Sequence, residues 1–199
     1  EFEQLTLDLG SDDEGPVVAT LVRALPAPRS WWDRSFARLR NPGARRLPLD
    51  DVDVLYVHGW SDYFFQKRLA RFWTDRGARF FALDLRKYGR SLRDGQTPGY
   101  ITDLATYDED IAAALSAMTD AAQTDAAQTD AAARGDSGRR LVLFGHSTGG
   151  LTLSLWASRH PGMADAVVLN SPWLEFQVAS VRPLISHVEI GRASCRERV

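Results

Sequence analysis

Residues 141–150 have the sequence Leu-Val-Leu-Phe-Gly-His-Ser-Thr-Gly-Gly. The fold prediction for the chain rests on the pattern of this stretch. Residues 141–144 form a short, continuous apolar run, which is typical of a buried parallel strand, and a segment with helical spacing follows. Between them Ser147 is the centre of Gly-x-Ser-x-Gly, with Gly145 and Gly149 two positions away on either side. Glycine there avoids the clashes that a Cβ atom would create in a sharp strand-to-helix turn. We therefore predict that Ser147 lies on such a turn with its hydroxyl exposed.

The composition is that of one globular domain. The chain has 199 residues, 44% of them hydrophobic, and a formal net charge of −2 at pH 7, which does not fit a disordered or fibrous protein. The near-neutral balance gives no reason to expect a nucleic-acid partner, and nothing in the sequence indicates an oligomeric state. No apolar run approaches the ~20 residues that span a bilayer, so no integral membrane segment is expected. With no signal peptide at the start as given, the default expectation is cytoplasmic, although the chain begins at Glu1 and not at Met.

Strands and helices alternate in the predicted secondary structure. Segments 2–9 and 16–25 flank a turn-rich cluster and predict an antiparallel hairpin. The further predicted strands are 51–57, 79–85, 141–144 and 166–169, the last of them buried, and the predicted helices are 61–76, 104–118 and 151–160. Ser61 or Asp62 can cap the first of these helices, whose apolar residues Phe65, Leu69, Phe72 and Trp73 are at helical spacing on one face. A Thr-Asp-Ala-Ala-Gln repeat at 119–133 has a period that matches neither helix nor strand, and we interpret it as an exposed extension of the helix before it. The alternation predicts an α/β fold, a mostly parallel sheet with helices on both faces.

The pattern resembles the α/β-hydrolase superfamily. Residues 145–149, Gly-His-Ser-Thr-Gly, match its nucleophile-elbow motif, and the serine follows the fifth predicted strand, as the family order requires. His-Gly-Trp-Ser-Asp-Tyr-Phe at 58–64 and the motif around Ser147 look most like the lysophospholipase, monoacylglycerol-lipase and serine-aminopeptidase-like branch. The resemblance covers roughly residues 1–176 and implies an α/β-hydrolase fold that is incomplete after the sixth strand.

The resemblance implies acyl-transfer chemistry at Ser147. A serine hydroxyl becomes an effective nucleophile when a base removes its proton, and its attack on a carbonyl develops an oxyanion that needs preorganised donors. One donor is the backbone N–H of Thr148, at the start of a helix. The family's second donor follows His-Gly after the third strand and maps to the backbone N–H of Trp60. Gly59 lets the backbone approach closely, and His58 is expected to brace this loop.

A base and an acid for Ser147 are not found where the resemblance implies them. The family places the acid after a seventh strand and the histidine after an eighth, and neither strand is predicted here. His146 lies inside the motif and is expected to point away from the pocket, His160 is expected to cap a helix end, and Asp84 is expected to be a structural hydrogen-bonding residue. Two alternatives stay open: His187 falls before the family's catalytic position, and Glu175 is a possible acid, with a surface charge as the favoured interpretation.

The C-terminal segment is interpreted as foreign to the domain. Residues 189–199 resemble the translation of a common sequencing-adapter oligonucleotide, with a disordered basic tail as the alternative. The segment contains the single cysteine, Cys195, so no internal disulfide is possible. We expect residues 1–188 to be the front part of one α/β-hydrolase core domain, with a cap that begins near residue 173. We also expect no meaningful turnover from these residues alone.

Three functional hypotheses stand on these residues. The first is a serine hydrolase that cleaves small-molecule carboxylic esters, preferably with an apolar acyl chain, through an acyl-enzyme. The second is aminopeptidase-like amide cleavage on the same fold; the serine argues against the dehalogenase and epoxide-hydrolase members, which use Asp at that position. The third is a binding pseudo-enzyme or an incomplete fragment. No Cys/His cluster and no phosphate-cradling glycine-rich loop is present, so no metal or cofactor is expected.

Overall fold

A central sheet organises residues 1–25, 47–128 and 138–174, which are the residues that the computed structural model describes. The strands of this sheet are β1 (Phe2–Asp12), β2 (Gly15–Ala24), β3 (Val52–Val57), β4 (Arg79–Asp84), β5 (Arg140–His146) and β6 (Ala166–Asn170). The helices are α1 (Lys67–Thr74), α2 (Tyr107–Gln128) and α3 (Thr148–Arg159), with 3₁₀ turns at Gly89–Ser91 and Leu104–Thr106.

The strand order is β1-β2-β4-β3-β5-β6. The hairpin of β1 and β2 pairs antiparallel with β4, whereas β4, β3, β5 and β6 run parallel to one another. Every residue of β3 is buried, as expected for a central strand that is covered on both faces. The predicted α/β fold is confirmed, and the carboxyl ends of four parallel strands meet at one edge of the sheet.

The two faces of the sheet bury separate hydrophobic cores. On one face, Leu55 of β3 packs with Ile111 of α2 and with Leu153 and Trp156 of α3. On the other face, side chains from alternate positions of β3 pack with Ala70 of α1. This alternation follows from the two-residue period of a strand, which sends successive side chains to opposite faces. Helices therefore cover both faces, as the alternating sequence pattern predicted.

Helix α1 is shorter than the helix predicted at 61–76, since it begins at Lys67 and ends at Thr74. The backbone N–H of Phe64 donates to the buried carboxylate of Asp84 at 2.8 Å, which ties the preceding segment to the end of β4 instead of leaving it free to wind into a helix. The predicted apolar face of this helix is also partly wrong. Phe65 and Phe72 point outward, with 60% and 48% of their surfaces exposed.

Helix α2 continues through part of the five-residue repeat, as far as Gln128. Alanine and glutamine are good helix formers, so the repeat extends a helix although its period builds no apolar face. This confirms the predicted extension up to Gln128, and the remainder of the repeat to residue 133 lies outside the described residues. None of the helices in the described ranges combines the length and apolar character that crossing a bilayer requires.

The sequence predicts β6 as a buried strand, but as an exposed hydrophobic edge where no seventh and eighth strands follow it; the first prediction is wrong here and the second agrees with the structure. Val167, Val168 and Leu169 are 40%, 37% and 40% exposed, because β6 is the edge strand among the described residues and pairs there with β5 alone. An apolar, unpaired edge is a template for further strand pairing.

Candidate active site

Ser147 forms the turn between β5 and α3. Its backbone has φ 51° and ψ −117°, in the positive-φ region that residues with a side chain rarely adopt. Its N–H donates to the carbonyl of Asn170 at 3.0 Å, and its carbonyl accepts from the N–H groups of Gly150 and Trp173 at 3.0 Å each. These bonds hold the strained backbone in place. The Oγ atom makes no hydrogen bond to any group in the described part of the chain.

Glycines on either side of Ser147 are required by close backbone packing, as predicted. A Cβ atom on Gly145 would lie 2.5 Å from the Cα of Gly150, and one on Gly149 would lie 2.3 Å from the carbonyl oxygen of His58. Both distances are far below contact distance, and the opposing atoms belong to the backbone. The turn therefore needs glycine at both positions, since Gly145 packs against the start of α3 and Gly149 against the end of β3.

The loop after β3, residues 58–66, passes directly beside Ser147. A Cβ atom on Gly59 would lie 3.1 Å from the Cβ of Ser147. Trp60 follows, with its ring packed edge-on against Tyr88 at 5.9 Å between centroids. Thr148 is the first residue of α3, where a backbone N–H has no intrahelical partner. The structure thus brings Gly59, Trp60 and Thr148 to the same edge of the sheet as Ser147; their roles there stay predictions.

His58 is buried and braces the loop that contains it. Its Nδ1 donates to the carbonyl of Gly59 at 2.7 Å, and its Nε2 accepts from the backbone N–H of Leu85 at 3.1 Å. Because that N–H can only donate, Nε2 carries no proton and the imidazole is neutral. Burial lowers the pKa of His58 in the same direction. Both ring nitrogens are committed to the backbone, so His58 links the ends of β3 and β4 and is not a base for Ser147.

Asp84 has the structural hydrogen-bonding role that its position predicts. Its carboxylate is fully buried. Oδ1 accepts from the backbone N–H of Phe64 at 2.8 Å, and Oδ2 accepts from Nη1 of Arg90 at 2.7 Å. These bonds join the loops that follow β3 and β4, and they commit both oxygens away from Ser147.

The other two described histidines also have partners elsewhere. His146 Nδ1 lies 3.1 Å from the carbonyl oxygen of Asn170, at the end of β6. His160 is the C-cap residue of α3, as predicted, and its backbone N–H donates to the carbonyl of Trp156 at 2.9 Å. The ring packs on Trp156 at 4.7 Å, and its Nε2 lies 3.2 Å from the carboxylate of Asp108 on α2, because the end of α3 meets the start of α2. Neither histidine is hydrogen-bonded to Ser147.

Several predicted features lie outside the described residues. They are the possible acid Glu175, the possible base His187, the lone Cys195, nearly all of the cap expected from residue 173, and the segment 189–199. Their assignments stay predictions. Within the described ranges, no three His, Cys, Asp or Glu side chains converge to hold a metal ion.

A buried lysine near the site was missed by sequence reasoning. Lys87 is 2% exposed, and its Nζ lies 2.6 Å from carboxylate oxygens of both Asp12 and Glu14. Burial alone would lower the pKa of Lys87, but the hydrogen bonds that its amine donates to the two carboxylates raise the pKa, so the amine stays charged. The cluster ties the β1–β2 hairpin to the loop after β4. The sequence holds no local signal for it, because the acids are more than seventy residues away.

A pocket of about 220 Å³ opens beside Trp60 at the carboxyl edge of the sheet. Trp60, Tyr63 and Tyr88 supply aromatic walls, and Asp62 and Lys87 supply charge. The charge of Lys87 is neutralised by its two acids, whereas Asp62 forms no ion pair with the described residues. The pocket is therefore aromatic with one uncompensated carboxylate.

The chain matches a known family over most of its length. Residues 51–195 match the model of the family described as serine aminopeptidase, S33. The match extends into the first residues of segment 189–199, whose interpretation as foreign sequence stays a prediction. No curated protein sequence is significantly similar to the chain.

Solved structures share the fold at low sequence identity. A carboxyl esterase from Bacillus coagulans has a TM-score of 0.57 at 15% identity, over 84% of this chain and 43% of its own. A predicted CIB-like hydrolase from Thermoplasma acidophilum has a TM-score of 0.51 at 16% identity, over 86% and 63%. An epoxide hydrolase from Vigna radiata has a TM-score of 0.50 at 17% identity, over 85% and 40%. At such identities the likeness concerns the fold alone, and the chain spans less than two thirds of each structure.

Proposed function

The chain belongs to the serine aminopeptidase S33 family of α/β-hydrolases, and on this premise we propose that the intact protein is a serine hydrolase that cleaves carboxylic esters through Ser147. The family and the fold support a hydrolase; the ester substrate and the serine mechanism are our proposal. The superfamily resemblance predicted from residues 58–64 and 145–149 is confirmed by this membership.

The observation that carries the proposal is the conformation of Ser147. A strained, fully hydrogen-bonded backbone presents an Oγ with no partner in the described residues, and the β3 loop passes beside it. Strain of this kind is concentrated at functional sites, where the surrounding structure maintains it. A serine that merely filled a turn would not need φ 51°, which glycine adopts at lower cost.

The proposed chemistry is nucleophilic acyl transfer. Ser147 Oγ attacks the ester carbonyl and the alcohol leaves, which gives an acyl-enzyme that water then hydrolyses. The oxyanion of each tetrahedral intermediate would be stabilised by the backbone N–H groups of Trp60 and Thr148, each worth about 3 kcal/mol. The positive end of the α3 dipole adds to this stabilisation.

The base and the acid are proposed to lie outside the described residues. The three described histidines are committed to Gly59, Asn170 and Asp108, and Asp84 is committed to Phe64 and Arg90. The solved structures that share the fold are longer than this chain. A histidine and a carboxylate in further residues, in the chain order Ser, acid, His, would complete the mechanism.

The test is active-site labelling of the protein from the intact gene. A fluorophosphonate probe, which reacts with activated serines, should label the protein and block its hydrolysis of p-nitrophenyl butyrate. Ser147→Ala should abolish both. Ser154→Ala on the same helix is the matched control, since its Oγ only donates to the carbonyl of Gly150 at 2.7 Å. Labelling or turnover that survives Ser147→Ala would overturn the proposal.

Amide cleavage is the second candidate, favoured by the family description and by the uncompensated carboxylate of Asp62 beside Trp60. A free α-amino group would pair with that carboxylate. The same preparation should then cleave an aminoacyl p-nitroanilide faster than p-nitrophenyl butyrate, and Asp62→Asn should remove the difference. For the 199 residues alone we expect no turnover, and esterase activity lost on Ser147→Ala would contradict that expectation.

A further inference from the structure

The outward surface of α1 combines exposed cations with exposed aromatic rings. We define the basic-aromatic face as the side chains of Phe65, Lys67, Arg68, Arg71 and Phe72. All five are exposed, the two phenylalanines by 60% and 48%. Within the described ranges the three cations form no ion pair, and α1 contains no acidic residue.

Helix geometry gathers four of these residues on one side of α1, and Phe65 lies two residues before the helix begins. Lys67 and Arg71 are four residues apart, as are Arg68 and Phe72, so each pair lies on the same helix surface. Ala70 faces the opposite way and is buried in the core. Most of the face is thus the outer surface of a helix whose opposite side packs in the core.

The three cations on this face destabilise helix α1. Lys67 and Arg68 occupy the first turn, where the helix dipole is positive and acidic residues are favourable. Arg71 lies three and four residues from these two cations, at spacings where like charges repel. No carboxylate in the described part of the chain forms an ion pair with these three cations. Local arrangements that conflict with stability are expected where a surface binds a partner, and the partner here must be anionic.

The aromatic rings distinguish between kinds of anionic partner. A soluble polyanion needs cations alone, whereas an interfacial helix pairs Lys and Arg with large apolar side chains that enter the lipid. Phe65 and Phe72 project beside the cations, and the guanidinium of Arg76 adds a further positive charge at 3.8 Å from the Phe72 ring centroid. Exposed phenylalanines on the same surface as cations favour a lipid surface.

We propose that the basic-aromatic face binds the surface of a membrane rich in anionic phospholipid. The cations would contact phosphate and carboxylate headgroups, and the rings of Phe65 and Phe72 would enter the boundary between headgroups and acyl chains. Tyr63 contributes both to the pocket beside Trp60 and to a neighbouring depression lined by Phe65 and Lys67. Docking through this face would therefore place that pocket close to the lipid. The proposal does not depend on the catalytic role of Ser147.

The test is co-sedimentation of the 199-residue chain with vesicles, which needs no turnover. We expect binding to phosphatidylcholine vesicles that contain about 30% phosphatidylserine, little binding to phosphatidylcholine alone, and weakening by salt. The combined substitution Lys67→Gln, Arg68→Gln and Arg71→Gln should lower the partition coefficient about a hundredfold, since each cation near the surface contributes about fivefold.

A matched control removes the same charge elsewhere. Arg23→Gln, Arg140→Gln and Arg159→Gln alter three cations that already pair with Glu3, Asp51 and Asp108, and this variant should bind vesicles like the wild type. An equal loss in the control would show attraction by net charge alone and would overturn the proposal. Circular dichroism melts establish that each variant is folded.

A second variant separates a membrane from a soluble polyanion. Phe65→Ser with Phe72→Ser keeps every cation, and it should lower vesicle binding at least tenfold while leaving binding to heparin unchanged. Vesicle binding that is unaffected by this variant would overturn the proposal. So would tight binding to heparin with none to anionic vesicles, which would identify a soluble polyanion as the partner.

Discussion

The two ends of the parallel strands are stabilised in different ways. At the amino ends, charged side chains hold neighbouring strands together. Asp53 of β3 accepts hydrogen bonds from Arg79 at 2.7 Å and from Arg139 at 2.6 Å, and Asp51 pairs with Arg140. At the carboxyl ends, every non-glycine residue with positive φ in the described ranges follows a parallel strand. These residues are Ser61, Lys87, Ser147 and Ser171.

The contrast shows where the fold tolerates strain. Each such residue costs ~1–3 kcal/mol and persists only where its surroundings maintain it. At the carboxyl edge these surroundings are the buried groups His58 and Asp84 and the hydrogen bonds around Ser147. Ligand sites of open parallel sheets lie at this edge. The amino edge therefore serves stability, and the carboxyl edge presents the candidate site.

The largest effect on stability is expected when a methyl group is added to the tightly packed turn at Ser147. Gly149→Ala would place a Cβ atom 2.3 Å from the carbonyl oxygen of His58, and neither backbone can move without breaking the turn. We expect a loss of about 3 kcal/mol in the free energy of unfolding, measured by urea denaturation. Gly138→Ala is the control, because nothing lies within 4 Å of its added Cβ. Equal stability of the two variants would contradict the close packing of the carboxyl edge.

A smaller effect is expected at the amino edge. Asp53→Asn removes the negative charge that Arg79 and Arg139 share, in a site where Asp53 is 8% exposed. We expect a loss of about 2 kcal/mol in the free energy of unfolding, less than for a fully buried pair because the arginines reach solvent. Asp51→Asn breaks an exposed pair and should change little. If the two variants were equally stable, the charge network would not be what holds this edge.

The smallest effect concerns pH and the brace at His58. Burial lowers its pKa below the ordinary 6.5, so the unfolded chain takes up a proton that the fold excludes. The contribution of His58 to stability is therefore complete above pH 6.5 and falls as the pH drops, by up to about 1.4 kcal/mol per pH unit. Urea denaturation at several pH values gives the change in the free energy of unfolding with pH. Below pH 6.5 this change should be less steep in His58→Gln than in the wild type, by the equivalent of about one proton. Parallel slopes would mean that His58 is charged in the fold.

Much of the architecture was predictable because it follows from the spacing of apolar residues along short stretches of the chain. The strands near 52, 80 and 141 are short apolar runs, and the helix after Ser147 has a clear apolar spacing; all were located within a few residues. Gly145 and Gly149 predicted the sharp turn, because few other backbone conformations need glycine at both positions. The family resemblance followed from these features, and the family match confirms it.

The errors came from contacts between distant segments. The helix predicted after Ser61 or Asp62 starts later because the carboxylate of Asp84, at the end of β4, accepts a hydrogen bond from the N–H of Phe64. Apolar character alone suggested that Val168 was buried, but burial depends on what packs against a strand, and β6 lies at the edge. The lysine cluster at Lys87 was missed for the same reason, since its partners lie on the hairpin.

Local residue patterns were thus sufficient for the α/β class, for the order of strands and helices, and for the position of Ser147 on a sharp turn. Periodicity and glycine placement act over a few residues, so the sequence displays them directly. Only the tertiary structure decided the protonation of His58 and its bond to Leu85, the outward direction of Phe65 and Phe72, and the ion pairs of Lys87. Each of these depends on which groups meet across tens of residues, and that proximity exists only once the sheet has formed.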